Sequence, residues 1–350
     1  MTEFSIVLPI YNTPAEYFRA CVASIQAQHC TDYEVLLIDD GSTNGVGTLC
    51  DELAAQDSRF RVFHQANGGV SAARNTGLRA ACGQWLICLD PDDWWEPDLL
   101  ESAHVRLTQH PVDLLIFSYC TETDGHRTDF SMGLPEPFQI GGEKLLHDLQ
   151  LGLLDEPHRA VKTYFGGPCF QFVRRELVTK YQIYFDPALR QSEDALWDMN
   201  LLEHAESAAL LDHVFYHYRI YSTSSYRRYD PALPQLIEQI DQQFRAFGEE
   251  HQKGADYWAA YRFWLIKKYV QLLKMYFFHP ASLKTDRKTR QEWQQLFHTC
   301  PSLSAIRELS LSELYRARKI YTLFYLFLFR VPSYALTKRL FTVAHKKDKI

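Results

Sequence analysis

Over the first 120 residues, short apolar runs alternate with stretches in which apolar residues recur every three or four positions. That pattern predicts strands at 4–10, 33–39, 61–64, 85–90 and 112–119, and helices at 15–28, 46–56, 70–81 and 97–109. The stretch after Gly69 shows the logic: Val70, Ala73, Gly77, Leu78 and Ala81 share one face of a helix. Strand and helix in strict alternation imply a mostly parallel sheet covered on both faces, a Rossmann-like α/β architecture. In such open sheets ligands bind beyond the carboxyl ends of the strands, so the polar residues that end each strand are the ones to read for chemistry.

The pattern weakens at 121–137, where Asp124-Gly125 suggests a loop or hairpin, and is mixed from 141 to 218. After Pro231 it turns helical and aromatic, with Leu236, Ile240, Phe244 and Phe247 at helical spacing and a second strong run at 257–278. His279-Pro280 and the charged patch 284–290 suggest a hinge. The division expected is a catalytic domain at 1–225, with halves at about 1–120 and 121–225, followed by a helical C-terminal region at 226–350. The longest apolar run, 320–329, is about half of the roughly 20 residues that span a bilayer.

The chain has 350 residues, is 46% hydrophobic and carries a formal net charge of -6, which speaks against nucleic acid as partner. Charge is unevenly placed: from Leu314 onward there are nine basic residues and one acid. The eight cysteines contain no Cys-x-x-Cys pair, which fits reduced thiols in a cytoplasm. The N-terminus runs directly into a strand pattern, so no secretory signal is expected.

The first strand ends in Pro9-Ile10-Tyr11-Asn12, the second in Asp39-Asp40-Gly41-Ser42, and the fourth in Asp90-Pro91-Asp92-Asp93. Five carboxylates at one sheet edge repel one another and call for a cation. Hard oxygen donors suit Mg²⁺ or Mn²⁺, and a metal held by one or two carboxylates keeps positions open for phosphate oxygens.

The segments PIYN (9–12), IDDGST (38–43), NGGVSAARNTG (67–77), LDPDDWWEPDLL (89–100) and SED (192–194) resemble, in order and interval, the family 2 glycosyltransferases of GT-A fold. The resemblance covers about residues 4–220. It implies that Pro9, Tyr11 and Asn12 line the nucleotide base, that Asp40 accepts a hydrogen bond from uracil with Asp39 supporting it, and that Arg74 reaches base or diphosphate. It places Asp90 at the ribose and Asp92 at the metal. Asp93 is left between a metal-directed role and a cap for the helix that follows. Asp194, with Glu193 before it, takes the place of the base that an inverting transfer requires. Ser192 stands where the family more often has glycine, and Pro91 where serine or alanine is commoner. Arg219 becomes a phosphate candidate and His217 either a metal or phosphate ligand or a packed core residue.

The function implied is transfer of one sugar from a UDP-sugar to the hydroxyl of a glycan or lipid-linked glycan in bacterial polysaccharide or lipooligosaccharide synthesis. Processive relatives carry Gln-x-x-Arg-Trp, whereas this chain has Gln242-Gln243-Phe244-Arg245-Ala246. The alternative is a non-catalytic relative that binds a sugar nucleotide or a partner. A dinucleotide oxidoreductase is disfavoured because Tyr11-Asn12-Thr13-Pro14 replaces a Gly-rich turn, and a nucleotidyltransferase because the same turn lacks a phosphate loop. In the tail, Tyr315, Tyr321, Phe324, Tyr325, Phe327 and Phe329 interleave with basic residues. That fits peripheral contact with the inner face of a cell membrane, or a helical bundle packed on the chain itself or on a second copy in a homo-oligomer.

Overall fold

The structure, a computed structural model, describes residues 2–123, 125–134, 137–154, 166–221, 229–300, 302–303, 306, 309 and 320–347. Asp124, Ser222, Tyr315, Arg316, Arg318, Lys319, Asp348 and Lys349 lie outside these, and of 320–323 and 343–347, with Tyr321 among them, only the backbone is described. The chain divides into two compact units, one of residues 1–153 and 158–222, the other of 154–157 and 223–350.

The first unit is built on a sheet of ten strands: β1 (Phe4–Ile10), β2 (Tyr33–Asp39), β3 (Phe60–His64), β4 (Trp85–Cys88), β5 (Trp94–Trp95), β6 (Leu114–Thr123), β7 (His126–Phe130), β8 (Phe138–Gly141), β9 (Gln171–Arg174) and β10 (Ala208–Ile220). Their order is β3-β2-β1-β4-β9-β6-β10-β5, with β7 on β6 and β8 on β10. β3, β2, β1 and β4 run parallel, as do β6 and β10, while β9 joins the two parallel groups antiparallel to both. Every residue of β1 and β2 is buried, as continuous apolar runs covered on both faces must be.

Helices α1 (Ala15–Gln26), α2 (Val46–Gln56), α3 (Val70–Ala80), α4 (Leu99–Gln109), α5 (Glu143–Leu154), α6 (Arg175–Tyr181) and α7 (Glu193–His204) connect these strands. The alternation expected from the sequence is present, with ends shifted by one to four residues, the largest shift being the end of β6 at Thr123 rather than 119. β4 stops at Cys88 because residues 91–92 turn, and α4 starts at Leu99 rather than 97. α3 lies against β1 through Gly77, where a Cβ would come 2.3 Å from Val7 Cγ1. The weak pattern at 121–137 resolves into a β6–β7 hairpin with Gly125 at φ 80°.

The second unit is helical: α8 (Leu233–Glu250), α9 (Ala255–Leu272) continued by a π turn (Leu273–Phe277), α10 (Asp286–Thr299), α11 (Ile320–Arg330) and α12 (Tyr334–Lys347). Leu236, Ile240, Phe244 and Phe247 are buried along α8 as their spacing predicts. The break expected at His279-Pro280 falls in the non-helical 278–285, and the charged patch after it opens α10, where Thr285 Oγ1 accepts a hydrogen bond from Lys288 N. Leu326, Leu328 and Phe329 of α11 are buried, with Phe329 packed on Phe297 and Tyr269. No helix of the described residues is long and apolar enough to cross a membrane.

Candidate active site

Two groups of side chains gather beyond the carboxyl ends of the central strands. The first joins the loops after β1 and β2. Asn12, at φ 50°, receives Thr43 N on its Oδ1 at 2.8 Å and donates its own N–H to Ser42 Oγ at 3.0 Å. Asn tolerates this left-handed backbone better than most residues, which lets one side chain stitch both loops. Pro9 is buried in β1 and Tyr11 stands exposed beside it.

Asp39 accepts from Ser42 N at 2.9 Å and is 2.8 Å from His64 Nδ1. Burial pushes its carboxyl up, but the bonds from Ser42 and His64 outweigh burial and hold it below the usual range. Asp40 is buried and ties down the following loop, taking Gln65 Nε2 at 2.7 Å and Gly68 N at 2.9 Å on Oδ1, and Gly69 N at 2.8 Å on Oδ2. With about two acceptor sites per carboxylate oxygen, Oδ2 has room for one further donor.

The second group centres on Arg74, which α3 carries inward. Its guanidinium is buried, 3.1 Å from Asp90 Oδ1 and 3.5 Å from Glu193 Oε1, with the Phe185 ring 5.4 Å away. Arg74 Nε has no hydrogen-bond partner among the described residues. Burial raises Glu193, its neighbour Asp194 raises it further, and Arg74 opposes both. The adjacent Asn75 clasps the backbone of Phe185, donating to its carbonyl and accepting from its N–H, both at 2.8 Å. α7 begins at Glu193, so Asp194 sits in its first turn, where its Oδ1 accepts from Ala195 N at 2.7 Å. Ser192, the residue in glycine's usual place, has φ 59°.

The turn 90–93 adjoins this group. Asp92 accepts from Tyr221 Oη at 3.0 Å on Oδ2, and its carbonyl accepts from Arg219 Nε at 2.9 Å. Burial and then Asp90 push the Asp92 carboxyl up. Asp93 neither caps α4 nor opens toward a ligand: it is buried, with Oδ2 on Tyr216 Oη at 2.5 Å and Oδ1 on Arg219 N at 2.7 Å. Asp98 holds the position before α4. Burial, then Asp90 and Asp92, raise Asp93 well above the carboxylate range. The Arg219 guanidinium carbon lies over the rings of Tyr17, at 4.4 Å, and Trp94, at 4.6 Å.

The structure thus brings Arg74, Asp90 and Glu193 into direct contact, and Asp92, Asp93 and Arg219 likewise. Asp39, Asp40 and Asn12 form a separate set on the neighbouring strands, with no direct bond to either among the described residues. His217 is bonded to none of them among the described residues; it is bonded to Glu96 and Glu122 and stacks on Trp94, the ring that also meets Arg219. Sequence reasoning missed Tyr17, and gave no role of their own to Tyr221, in a segment that resembles the one closing over the diphosphate, or to Asn75, near the sheet's carboxyl edge; the partners of all three lie far along the chain. It also missed Asp198, one turn after Asp194, which is buried and accepts from Gln171 Nε2 at 2.5 Å.

Asp90 Oδ2 and Asp92 Oδ1 carry no hydrogen bond among the described residues. Two partly desolvated acidic side chains with spare oxygens fit a hard divalent cation of the Mg²⁺ or Mn²⁺ type, which would lower the repulsion they now bear.

The profile described as glycosyl transferase family 2 matches residues 5–181. The chain is 29% identical over 261 residues to EpsH of Bacillus subtilis (strain 168), which bears a glycosyltransferase name, covering 72% of this chain and 71% of EpsH. It is 30% identical over 194 residues to the glycosyltransferase GlyG of Streptococcus pneumoniae serotype 4, covering 55% of this chain and 62% of GlyG. Among solved structures, residues 1–349 of S. aureus TarS in complex with UDP-GlcNAc superpose with a TM-score of 0.65 at 18% identity, over 99% of this chain and 92% of that one. At that identity the likeness is one of fold.

Proposed function

Because the chain belongs to glycosyltransferase family 2 and has the GT-A fold, we propose that it moves one sugar from a UDP-sugar to an acceptor hydroxyl with inversion at the anomeric carbon. The observation that carries this reading is Arg74 seated between Asp90 and Glu193, which ties the donor-side turn to the helix that bears Asp194.

In this reading Asn12, Tyr11 and Pro9 frame the base, and the remaining acceptor site on Asp40 Oδ2 takes the uracil imide proton. Asp39 keeps that loop in place through Ser42. Asp90 faces the ribose, while Arg74 and Arg219 supply positive charge toward the diphosphate. Asp92, with Asp90 beside it, holds Mn²⁺ or Mg²⁺. When bound, such a cation neutralises charge on the departing diphosphate.

Asp194 removes the acceptor's proton as its oxygen attacks the anomeric carbon, and the bond from that carbon to the diphosphate oxygen breaks on the opposite face. The donor sugar is a hexose or N-acetylhexosamine, UDP-GlcNAc being the donor bound by the TarS fragment. The acceptor is a glycan or lipid-linked glycan of bacterial surface polysaccharide or lipooligosaccharide synthesis, and the enzyme works in the cytoplasm. Exposed Phe324, Phe327 and Val331, close in sequence to Arg339, support a peripheral membrane contact by the second unit. Lys338 contributes less to it, being paired with Asp286 at 2.7 Å.

The test is a panel of UDP-sugars with Mn²⁺, scored for UDP release with and without lipid-linked acceptors. Asp194→Asn is expected to keep donor affinity within about threefold and to lose roughly 10²-fold or more in transfer. Donor binding with no turnover for any sugar and acceptor would favour the non-catalytic reading, and full transfer by the Asn variant would remove Asp194 from the mechanism.

A further inference from the structure

His217 is not used by the mechanism above, and its surroundings differ in kind from the all-oxygen site at Asp92. The parallel pairing of β6 and β10 sets His217 opposite Cys120, and Glu122, two residues along β6, falls on the same face as Cys120. The neighbour Tyr216 points the other way, to Asp93. His217 Nδ1 lies 3.3 Å from Cys120 Sγ and 3.1 Å from Glu122 Oε1, and one donor atom from each residue falls within 4.8 Å of the others. Tetrahedral zinc, with bonds of about 2.3 Å to sulfur and 2.0–2.2 Å to nitrogen and oxygen, keeps its donor atoms about 3.3–3.6 Å apart.

The ring is fixed from the far side. It stacks on Trp94 at 4.9 Å and 15°, and its Nε2 is 2.9 Å from Glu96 Oε1. An Nε2–H donated to Glu96 leaves Nδ1 with a bare lone pair aimed at the sulfur and the Glu122 oxygen. A thiol proton or a metal cation can fill the space between these donor atoms, and a carboxylate on the other ring nitrogen is the usual partner of a metal-bound histidine.

We propose that Cys120, Glu122 and His217 are the protein ligands of a second metal site, selective for Zn²⁺ over the hard cation of the catalytic centre. Thiolate, imidazole and a single carboxylate are the ligand set zinc prefers, while Mg²⁺ and Mn²⁺ favour oxygen alone. Glu122 is part-exposed, so a water completes the tetrahedron. The ion clamps β10 to β6 one residue from Tyr216 and two from Arg219, the pair that holds Asp93.

The full chain, stripped with chelator, is titrated with Co²⁺ as a spectroscopic stand-in. The expected result is tetrahedral visible bands and a near-ultraviolet thiolate charge-transfer band, saturating at one equivalent and displaced by Zn²⁺. Both are retained in Asp92→Asn and lost in Cys120→Ser. Glu122→Gln, at a part-exposed position, is expected to bind at least tenfold more weakly and decides the matter if Cys120→Ser does not fold. The proposal fails if wild-type protein shows no thiolate band, which would leave Cys120, Glu122 and His217 as a hydrogen-bonded cluster. It fails equally if the band survives in Cys120→Ser or Glu122→Gln binds as tightly as wild type.

Discussion

Arg74 and Asp90 form an ion pair at 3.1 Å in which the guanidinium is almost wholly buried, 7% exposed, while the carboxylate keeps 31% of its surface. The cation is therefore committed to the fold and the anion still meets solvent. Arg74→Gln is expected to destabilise the chain by about 3 kcal/mol or more, because the carboxylates it faces lose their buried partner, and urea unfolding measures this. Arg74→Lys should not restore UDP-sugar binding, since a single ammonium cannot span Asp90 and Glu193 as a planar fork does.

Asp93 gives the chain a distinctive pH dependence. Burial, and after it Asp90 and Asp92, raise its folded pKa above the unfolded value, so the folded state holds the extra proton. Stability then falls as pH climbs from the ordinary carboxylate range toward that raised value. Asp93→Asn keeps an acceptor for Arg219 N and removes the titration. Its thermal midpoint should exceed that of wild type at pH 8, with the gap closing at pH 5; a gap that grows on acidification would contradict the assignment.

Ser192 at φ 59° occupies backbone space that costs a residue with a Cβ about 1–2 kcal/mol. Ser192→Gly is expected to recover about 1 kcal/mol, allowing for the extra freedom glycine gains when unfolded. Ser192→Val should lose at least as much, and denaturant midpoints at constant m-value distinguish the two.

Chelation is expected to abolish transfer and Mn²⁺ or Mg²⁺ to restore it. Asp92→Asn should need a concentration of either metal at least tenfold higher for the same rate, read from metal titrations of UDP release. An unchanged requirement would move the metal off Asp92.

What the sequence disclosed follows from how far apart the interacting residues are. β1 and β2 announce themselves because burial on both faces leaves no polar position in their centres, and Asp39 and Asp90 because each directly follows an apolar run. Family motifs supplied roles that periodicity alone does not contain. Pairings that depend on strand register were invisible: Asp93 with Tyr216 and Cys120 with His217 are each about a hundred residues apart. The break at His279-Pro280 was legible, since 278–285 carry no helix, but the charged residues after it were not legible as a helix start, because a charged first turn shows itself only by the capping bond of Thr285.

The contact of Gly77 with Val7 sets the depth at which the guanidinium one turn earlier is delivered. A single methyl group at residue 77 would act as a spacer, lifting the helix and withdrawing the cation from two acids it never touches itself. Alanine at that point is therefore a way to disable sugar transfer from within the core while every side chain in the cleft remains chemically intact.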